Sequence, residues 1–340
     1  MTEQLRQKAL EIHKKSIVID ALEAAPVVGD VEYFDKLLQT GLTCISLTII
    51  ETYDTTIDAL GRFKGLYDLF ENHSDKVIPV ATVRDIEQAK KEGKVAVIMN
   101  AQNGEIIGRD IGLLSVFKRL GLRIMQPTYY EQNLLGEGCG ERTNGGLTRL
   151  GLAVVEEMNR LGMVIDCSHC GDQVTLDLIK YSKNPILATH SNARSMFKHV
   201  RNKTDEIIKA LANKGGVIGM VAWSPFCEIR KGVRPGVEDV LDIVDYVVKL
   251  VGPDHVGFGL DLNPYTTLEA YTKWAQHYPE LRPKGGYYER TIFTNKAGVD
   301  DITRFPELTM GLITRGYSDQ DIEKILGLNF MRVFKEVWGK

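Results

Sequence analysis

The chain has 340 residues, of which 44% are hydrophobic and 26% charged, and its formal net charge at pH 7 is −3. A chain of this length and composition can bury a large core without disulfides or structural metals. Lys and Arg are scattered along it, which excludes the clustered positive charge of a nucleic-acid-binding face.

The composition also bears on location. No stretch approaches the roughly 20 apolar residues of a membrane span. The N-terminal segment MTEQLRQKALEIHKKS lacks the apolar centre of a secretory signal. The five cysteines are an odd number, which indicates free thiols in an intracellular chain. We therefore expect a cytoplasmic protein that has no membrane or nucleic-acid partner.

Short apolar or β-branched runs alternate along the chain with helical patterns. The runs that predict strands are 17–22, 44–50, 95–99, 122–126, 163–167, 185–189, 216–221 and 256–260. The amphipathic segments between them include 55–72, 110–120, 148–161, 172–181, 205–213 and 236–251. Strands that alternate with helices pair in parallel, because each crossover needs a dozen or more residues. The pattern predicts an α/β fold, a closed (β/α)8 TIM barrel.

Two features refine this map. The run 77–83 is either an additional strand or a loop. Glycines precede five of the predicted strands, where an αβ turn favours a left-handed helix cap. These glycines are Gly41, Gly93, Gly121, Gly162 and Gly215.

The remaining segments are loops and a helical tail. The long loops 127–147 and 262–301 follow strands, where loops of a barrel usually cover the active site. The segment 303–338 predicts two or three helices, with Ser318 as an N-cap. We assign 1–340 to a single barrel domain that ends in these helices.

Candidate functional residues follow from the strand map, because barrel active sites lie at the C-terminal ends of the strands. His169 and His190 end successive strands in VIDCSH and ILATH, where two imidazoles can meet at one divalent metal. The alternative is that each is a hydrogen-bonded core histidine. Other polar residues at or just after strand ends are Glu23, Asn100, Gln102, Asn103, Gln126, Tyr129 and Asp261.

Asp261 and Arg201 each have a functional and a structural interpretation, whereas His255 has only a structural one. Asp261 ends HVGFGLD and can accept a proton from an attacking water or hold a substrate ammonium, but it could also cap a turn. Arg201, in KHVRNKTD, can bind a substrate carboxylate or be a solvated surface residue. His255 opens its strand and belongs at the opposite face of the barrel.

Several other active-site types find little support. Cys167 and Cys170 have CxxC spacing, which is typical of redox sites and half zinc sites, but no second CxxC is present. There is no GxSxG, GxGxxG or P-loop motif. The segment GEGCGERTNGG lacks the Lys-Ser/Thr that would hold phosphate and magnesium.

At these residues the sequence resembles the membrane (renal) dipeptidase family of zinc peptidases, peptidase family M19. The resemblance runs from about Ile17 to Phe334. It is carried by GLTRLGLAVVEEMNRLGMVIDCSH, ATHSNARSMFKHVRNKTDE, GGVIGMVAWSPF, VGPDHVGFGLD and FPELTMGLITRGYSDQDIEKILGLNFMRVF. It implies a metal-dependent-hydrolase barrel with two zinc ions, proteolysis of dipeptides, and a homodimer.

The resemblance assigns roles and also exposes departures. It implies that His169 and His190 ligate the second zinc, that Asp261 handles the proton and that Arg201 binds the substrate carboxylate. In the segment Asp20-Ala21-Leu22-Glu23-Ala24, however, Leu22 and Ala24 stand where the family's first-zinc ligands belong. The family's bridging glutamate falls near Gln102, and the histidine expected after strand 4 is Tyr129, whose hydroxyl can still stabilise an oxyanion.

We therefore expect a dipeptidase-like hydrolase of a small dipeptide or amide that carries a carboxylate. It would hold at most one zinc, weakly, at His169, His190 and Gln102, with Asp261 or Glu23 as a further ligand. Asp261 and Tyr129 would be catalytic, and the substrate would contact Arg201, Glu23 and Asn103. The alternatives are a metal-free enzyme acting on a small amino-acid-like molecule and a non-catalytic barrel that binds a small molecule.

Overall fold

The computed structural model describes residues 3–23, 31–50, 54–263, 291–294 and 300–339. Apolar or β-branched runs form the strands at the predicted places. They are β1 (Ile19–Glu23), β2 (Cys44–Ile50), β3 (Val77–Pro79), β4 (Val95–Ala101), β5 (Leu122–Met125), β6 (Val164–Ile165), β7 (Leu187–Ala188), β8 (Val217–Met220) and β9 (Val256–Phe258).

The strands form two parallel sheets that meet at two seams. One sheet has the order β1-β2-β4-β5-β6, with β3 paired to β4, and the other has the order β7-β8-β9. A bridge between Asp166 and Leu187 joins β6 to β7, and a bridge between Glu23 and Leu262 joins the end of β9 to β1. The ring of parallel strands thereby closes, and the predicted (β/α)8 barrel is confirmed.

Helices cover the outside of the ring. Those of the first half are α1 (Glu3–Lys15), α2 (Val31–Gln39), α3 (Thr56–Asn72), α4 (Val83–Glu92), α5 (Leu113–Arg119) and α6 (Arg149–Leu161). Those of the second half are α7 (Asp172–Tyr181), α8 (Asp205–Asn213), α9 (Ser224–Cys227), α10 (Val237–Val251), α11 (Pro306–Thr314), α12 (Asp319–Glu323) and α13 (Asn329–Trp338). Among the described helices, none is long and apolar enough to cross a membrane.

The structure resolves the segment 77–83 into two elements. Its first half is the short strand β3, and Thr82 then begins α4 with a capping box closed by Asp85. Hydrophobic periodicity did not single out α4, because six of its ten residues are charged. All five glycines that precede strands have a positive φ, between 63° and 105°, as predicted.

The barrel interior changes character along its axis, because alternate residues of each strand point inward. On β4, Ala96 and Ile98 lie in an apolar cluster at the lower, N-terminal half. Asn100 and Gln102 continue the same alternation but are polar and buried. The lower half of the interior is therefore an apolar core and the upper half is a polar chamber.

The C-terminal helices close the lower end of the barrel. Phe330 and Phe334 of α13 belong to the same apolar cluster as the inward-facing strand residues. A Cβ on Gly257 would lie 2.3 Å from the Phe330 ring, so the strand approaches the helix as closely as a glycine permits. Ser318 caps α12 through the backbone N–H of Asp321, as predicted. The tail therefore seals the face opposite the polar chamber.

Candidate active site

His169 and His190 meet inside the polar chamber. Both side chains are buried, and their Nε2 atoms lie 2.9 Å apart. They come from the ends of β6 and β7, which neighbour each other across the first seam of the ring. The sequence predicted this meeting from the strand order.

A buried carboxylate orients His190. Thr189 Oγ1 donates to Asp166 Oδ2 at 2.6 Å and lies 2.8 Å from His190 Nδ1. Since the single hydroxyl proton points to Asp166, the hydroxyl oxygen accepts a hydrogen bond from the Nδ1–H of His190. The Nε2 of His190 therefore carries a lone pair. A hydrogen-bonded carboxylate behind an imidazole is the arrangement that fixes the tautomer of metal-binding and basic histidines.

Both histidines are held neutral. Burial lowers the pKa of His169 and of His190 well below the ordinary value, and the nearby Arg201 charge lowers both further. Nδ1 of His169 has no hydrogen-bond partner within the described residues. At 2.9 Å the His169 Nε2–H donates to the lone pair of His190 Nε2. Each neutral imidazole has one lone pair and is competent as a metal ligand or as a proton acceptor.

Two buried cations hold the loops that carry the histidines. Arg201 Nη1 donates to the carbonyl of Ser168, and its Nη2 donates to the carbonyl of His190 at 3.0 Å. The Lys203 ammonium donates to the Cys170 carbonyl at 2.9 Å. Within the described residues, neither cation forms an ion pair with a carboxylate, so the chamber has a positive side.

Tyr129 and two glutamines complete this side of the site. The Tyr129 ring stacks on His169 with centroids 3.9 Å apart. Gln126 Oε1 accepts from the His169 backbone N–H at 2.8 Å, and Gln126 Nε2 lies 3.5 Å from Gln102 Oε1. Gln102 Nε2 donates to Thr48 Oγ1 at 2.9 Å, so both polar atoms of the Gln102 amide have partners.

The opposite side of the chamber, at the second seam, is acidic. Glu23 is fully buried and its Oε2 accepts from the Tyr33 hydroxyl at 2.9 Å. Asp20 Oδ1 accepts from the backbone N–H of Leu260 at 2.8 Å. Burial and the neighbouring carboxylates, including Asp261, raise the pKa of Asp20 to about 8 and the pKa of Glu23 well above its ordinary value.

Asp20 and Glu23 form a buried pair of carboxyls whose like charges disfavour ionisation of both. Within the described residues, Oδ2 of Asp20 and Oε1 of Glu23 have no hydrogen-bond partner. We infer that one proton lies between the two side chains. One proton between two buried carboxyls is the arrangement expected when like charges cannot both ionise.

The shared proton predicts a pH-dependent stability change for Asp20→Asn. Because the folded state binds this proton more tightly than the unfolded chain, the free energy of unfolding falls as the pH rises from about 4 through about 8. The asparagine retains an oxygen for the backbone donors and carries no titrating proton. Urea unfolding at pH 5, 7 and 9 should show a decline that is shallower by roughly 4 kcal/mol in the variant. Parallel curves for the two proteins would contradict a shared proton.

Asp261 lies at the same seam in a strained conformation. Its φ is +59°, the only positive φ of a non-glycine residue in the described chain. Its N–H donates to the Leu22 carbonyl at 3.0 Å, and its carbonyl accepts from the Trp223 indole at 3.0 Å. A left-handed aspartate held on both sides at a strand end is typical of a functional site.

The residues at the first-zinc position of the family do not fit a metal ion in this chain. Leu22 is 1% exposed and offers only hydrocarbon. Ala24 lies outside the described residues. Among the described residues, no group of three or more His, Cys, Asp or Glu side chains is placed to hold a metal ion. The Nε2 atoms of His169 and His190 are the ligand atoms that converge on one point. These two histidines therefore fit one metal ion at most.

Other residues singled out in the sequence make the following contacts. Asn103 accepts from Asn133 Nδ2 at 2.8 Å and so contacts the following loop. His255 lies at the opposite face, where its Nδ1 is 2.9 Å from the Gly216 carbonyl. Cys167 and Cys170 are free and buried, and burial raises the pKa of Cys167 to about 12. Such thiols are inert core groups rather than redox centres.

Sequence reasoning missed four residues of the chamber: Asp20, Asp166, Thr189 and Lys203. The signal for Asp166 was available, since it stands three residues before His169 on a strand that ends at the site. The role of Lys203 carried no such signal, because a lysine in a loop is usually solvated.

The comparisons with known proteins agree with this architecture. The sequence model described as membrane dipeptidase (peptidase family M19) matches residues 6–292 and 285–338. The chain belongs to the membrane dipeptidase family. This member is 28% identical over 283 residues to dipeptidase tcpJ of Claviceps purpurea, a match that covers 83% of the chain. The match covers 59% of tcpJ, so the chain spans about three fifths of that relative's length.

Solved structures resemble this membrane dipeptidase family member over nearly its whole length. An amidohydrolase from Pseudomonas aeruginosa has a TM-score of 0.87 and 33% identity, over 98% of this chain and 99% of that one. The probable dipeptidase PvdM of the same organism has a TM-score of 0.83 and 22% identity, over 99% of both chains. The second likeness concerns the fold alone.

Proposed function

We propose that this chain hydrolyses a small dipeptide or related amide that carries a free carboxylate. The observation that carries the proposal is the pair of neutral imidazoles, His169 and His190, whose Nε2 atoms converge at 2.9 Å at the active end of the barrel. Membership of the membrane dipeptidase family and the similarity to dipeptidase tcpJ support the reaction class.

We further propose that the site takes at most one divalent ion, with zinc the favoured candidate. His169 and His190 would hold it through Nε2, and Gln102 is the candidate for a neutral oxygen ligand. A bound ion would polarise the substrate carbonyl and make water more acidic. With so few protein ligands, binding should be weak, because catalytic zinc normally has three.

The surrounding residues supply the remaining steps. Asp261 accepts the proton of the attacking water and passes it to the leaving amine. The Tyr129 hydroxyl donates to the developing oxyanion. Arg201 attracts the substrate carboxylate, because its guanidinium has no carboxylate partner among the described residues. The acidic side, at Glu23, faces the substrate ammonium. A zwitterionic dipeptide thus matches the charge separation across the chamber.

The test is hydrolysis of a dipeptide panel by full-length protein purified without chelator, with metal content measured on the same sample. We expect release of free amino acids and up to one equivalent of zinc. His169→Ala should lose the metal, and His255→Ala should retain it. Less than about a tenth of an equivalent, with no activation by added divalent ions, would remove the metal from the proposal.

A second candidate is supported by one observation, the absence of a third His, Cys, Asp or Glu ligand among the described residues. In that case the chain is a metal-free enzyme in which His190 is the base and Arg201 binds the carboxylate. Turnover that survives dialysis against a strong chelator would favour this candidate. Turnover that disappears on dialysis and returns with zinc would favour the metal-dependent one.

A further inference from the structure

A large cleft opens at the end of the barrel opposite the histidine pair. Its volume is about 650 Å³, and its walls are the end of α1, the turn before β2 and the end of α4. The turns that precede β2 and β4 belong to the N-terminal face of the ring, whereas His169 and His190 lie at the C-terminal face. The volume falls within the range of small-molecule sites. The cleft is therefore separate from the active site.

The walls of this cleft, which we call the lysine cleft, are strongly basic. They contain four lysines, Lys14, Lys90, Lys91 and Lys94, and one acid, Glu92. Four positive charges against one negative charge leave +3 in a chain whose formal net charge is −3. The positive charge is therefore concentrated there against the overall balance of the protein.

The C-termini of α1 and α4 neutralise only part of the positive charge of the lysine cleft. Lys90 and Lys91 lie in the last turn of α4, and Lys14 lies in the last turn of α1. A helix C-terminus carries only about half a negative charge, so two of them offset roughly one lysine. Glu92 already pairs with Lys94 at 2.8 Å. About two positive charges remain without compensation.

Lys90 is the fixed point of the cleft. Its ammonium is half-buried and donates to the His13 carbonyl at 2.7 Å, which joins α4 to α1. Burial of the ammonium lowers its pKa to about 8. His13 is itself anchored by Thr40 and Thr309. An anion in the cleft would meet a preorganised ammonium rather than a mobile surface side chain.

We propose that the lysine cleft binds a phosphorylated small molecule. The phosphates would lie against Lys14, Lys90 and Lys91, since lysine binds phosphate as a point charge without a fixed planar geometry.

The apolar part of the cleft fits the rest of such a ligand. The wall carries Leu10, Leu38 and Leu42, against which a ring or alkyl group would pack. The cleft thus matches a nucleotide-like ligand better than a bare inorganic anion. Because it lies away from the histidine pair, the ligand would not compete with a dipeptide.

Titration calorimetry at low ionic strength, without magnesium, tests the proposal with pyrophosphate, ATP and adenosine. We expect pyrophosphate and ATP to bind, ATP more tightly, and adenosine not to bind detectably. Binding should weaken with added salt. The double variant Lys14→Glu/Lys91→Glu, at two exposed positions, should weaken ATP binding about tenfold or more. Absence of pyrophosphate and ATP binding at millimolar concentration would overturn the proposal.

The matched control is Lys209→Glu/Lys335→Glu, which makes the same charge change at exposed lysines outside the cleft. It should bind ATP as the native chain does, and equal weakening in both double variants would overturn the proposal. His190→Ala should also bind ATP normally. Acetylation followed by mass spectrometry gives a local readout: ATP should protect Lys90 and Lys91 but leave Lys209 unprotected.

Discussion

Replacement of His190 by alanine should lower kcat/KM for the dipeptide substrate by about a thousandfold or more, which corresponds to roughly 4 kcal/mol of transition-state stabilisation. The variant removes the imidazole whose Nε2 is hydrogen-bonded to His169 Nε2, and it leaves the Asp166–Thr189 pair without its third member. Initial-rate kinetics on the full-length protein, together with an unchanged circular dichroism spectrum, provide the measurement.

Two companion variants separate chemistry from folding. His255→Ala removes a histidine at the opposite face of the barrel and should change kcat/KM by less than about threefold. Thr189→Val removes the hydroxyl that orients His190 but keeps the imidazole, and should lower activity by about 10–100-fold. Comparable activity in His190→Ala and His255→Ala would mean that the histidine pair is structural.

Replacement of Gly259 by alanine should severely destabilise the barrel where the end of β9 packs against the end of β7. A Cβ at this position would lie 1.9 Å from the Thr189 carbonyl oxygen and 3.4 Å from His190 Cβ. The contact is with backbone, which cannot move aside as a flexible side chain can. We expect a loss of about 3 kcal/mol or more in the free energy of unfolding. Urea unfolding followed by tryptophan fluorescence measures it.

A matched glycine gives the opposite result. Gly61 lies on α3, and a Cβ there would meet no atom within 4 Å. Gly61→Ala should therefore stabilise the protein by roughly 0.5–1 kcal/mol, because it restricts the unfolded chain and favours the helix. If both substitutions were neutral, the close packing of β9 against the strand end at Thr189 would not exist.

The fold was largely predictable because its signals are local. Alternation of apolar runs with amphipathic segments is visible within short windows, and glycines before strands report a required backbone conformation at single positions. The helix α4 was not predicted, because its many charged residues obscure the periodicity of its buried residues Val83, Ile86 and Ala89. That periodicity is recognised only when the neighbouring β3 is identified as a strand.

Part of the candidate active site was likewise predictable from the sequence. The positions of His169 and His190 followed from the sequence, because parallel strands of a barrel bring their C-terminal ends to one face and both histidines stand at such ends. That Leu22 cannot ligate a metal ion also followed, since its side chain has no atom that can bind one. These conclusions depend only on residue type and on order along the chain.

Only the tertiary structure decided which groups face each other across the closed ring. The approach of Asp261 to Asp20 and Glu23 requires the seam that joins β9 to β1, and burial there raises the pKa of both β1 carboxyls. The orientation of His190 requires Asp166 from the neighbouring strand. Side-chain partners far apart in sequence depend on closure and packing, and no local pattern encodes those distances.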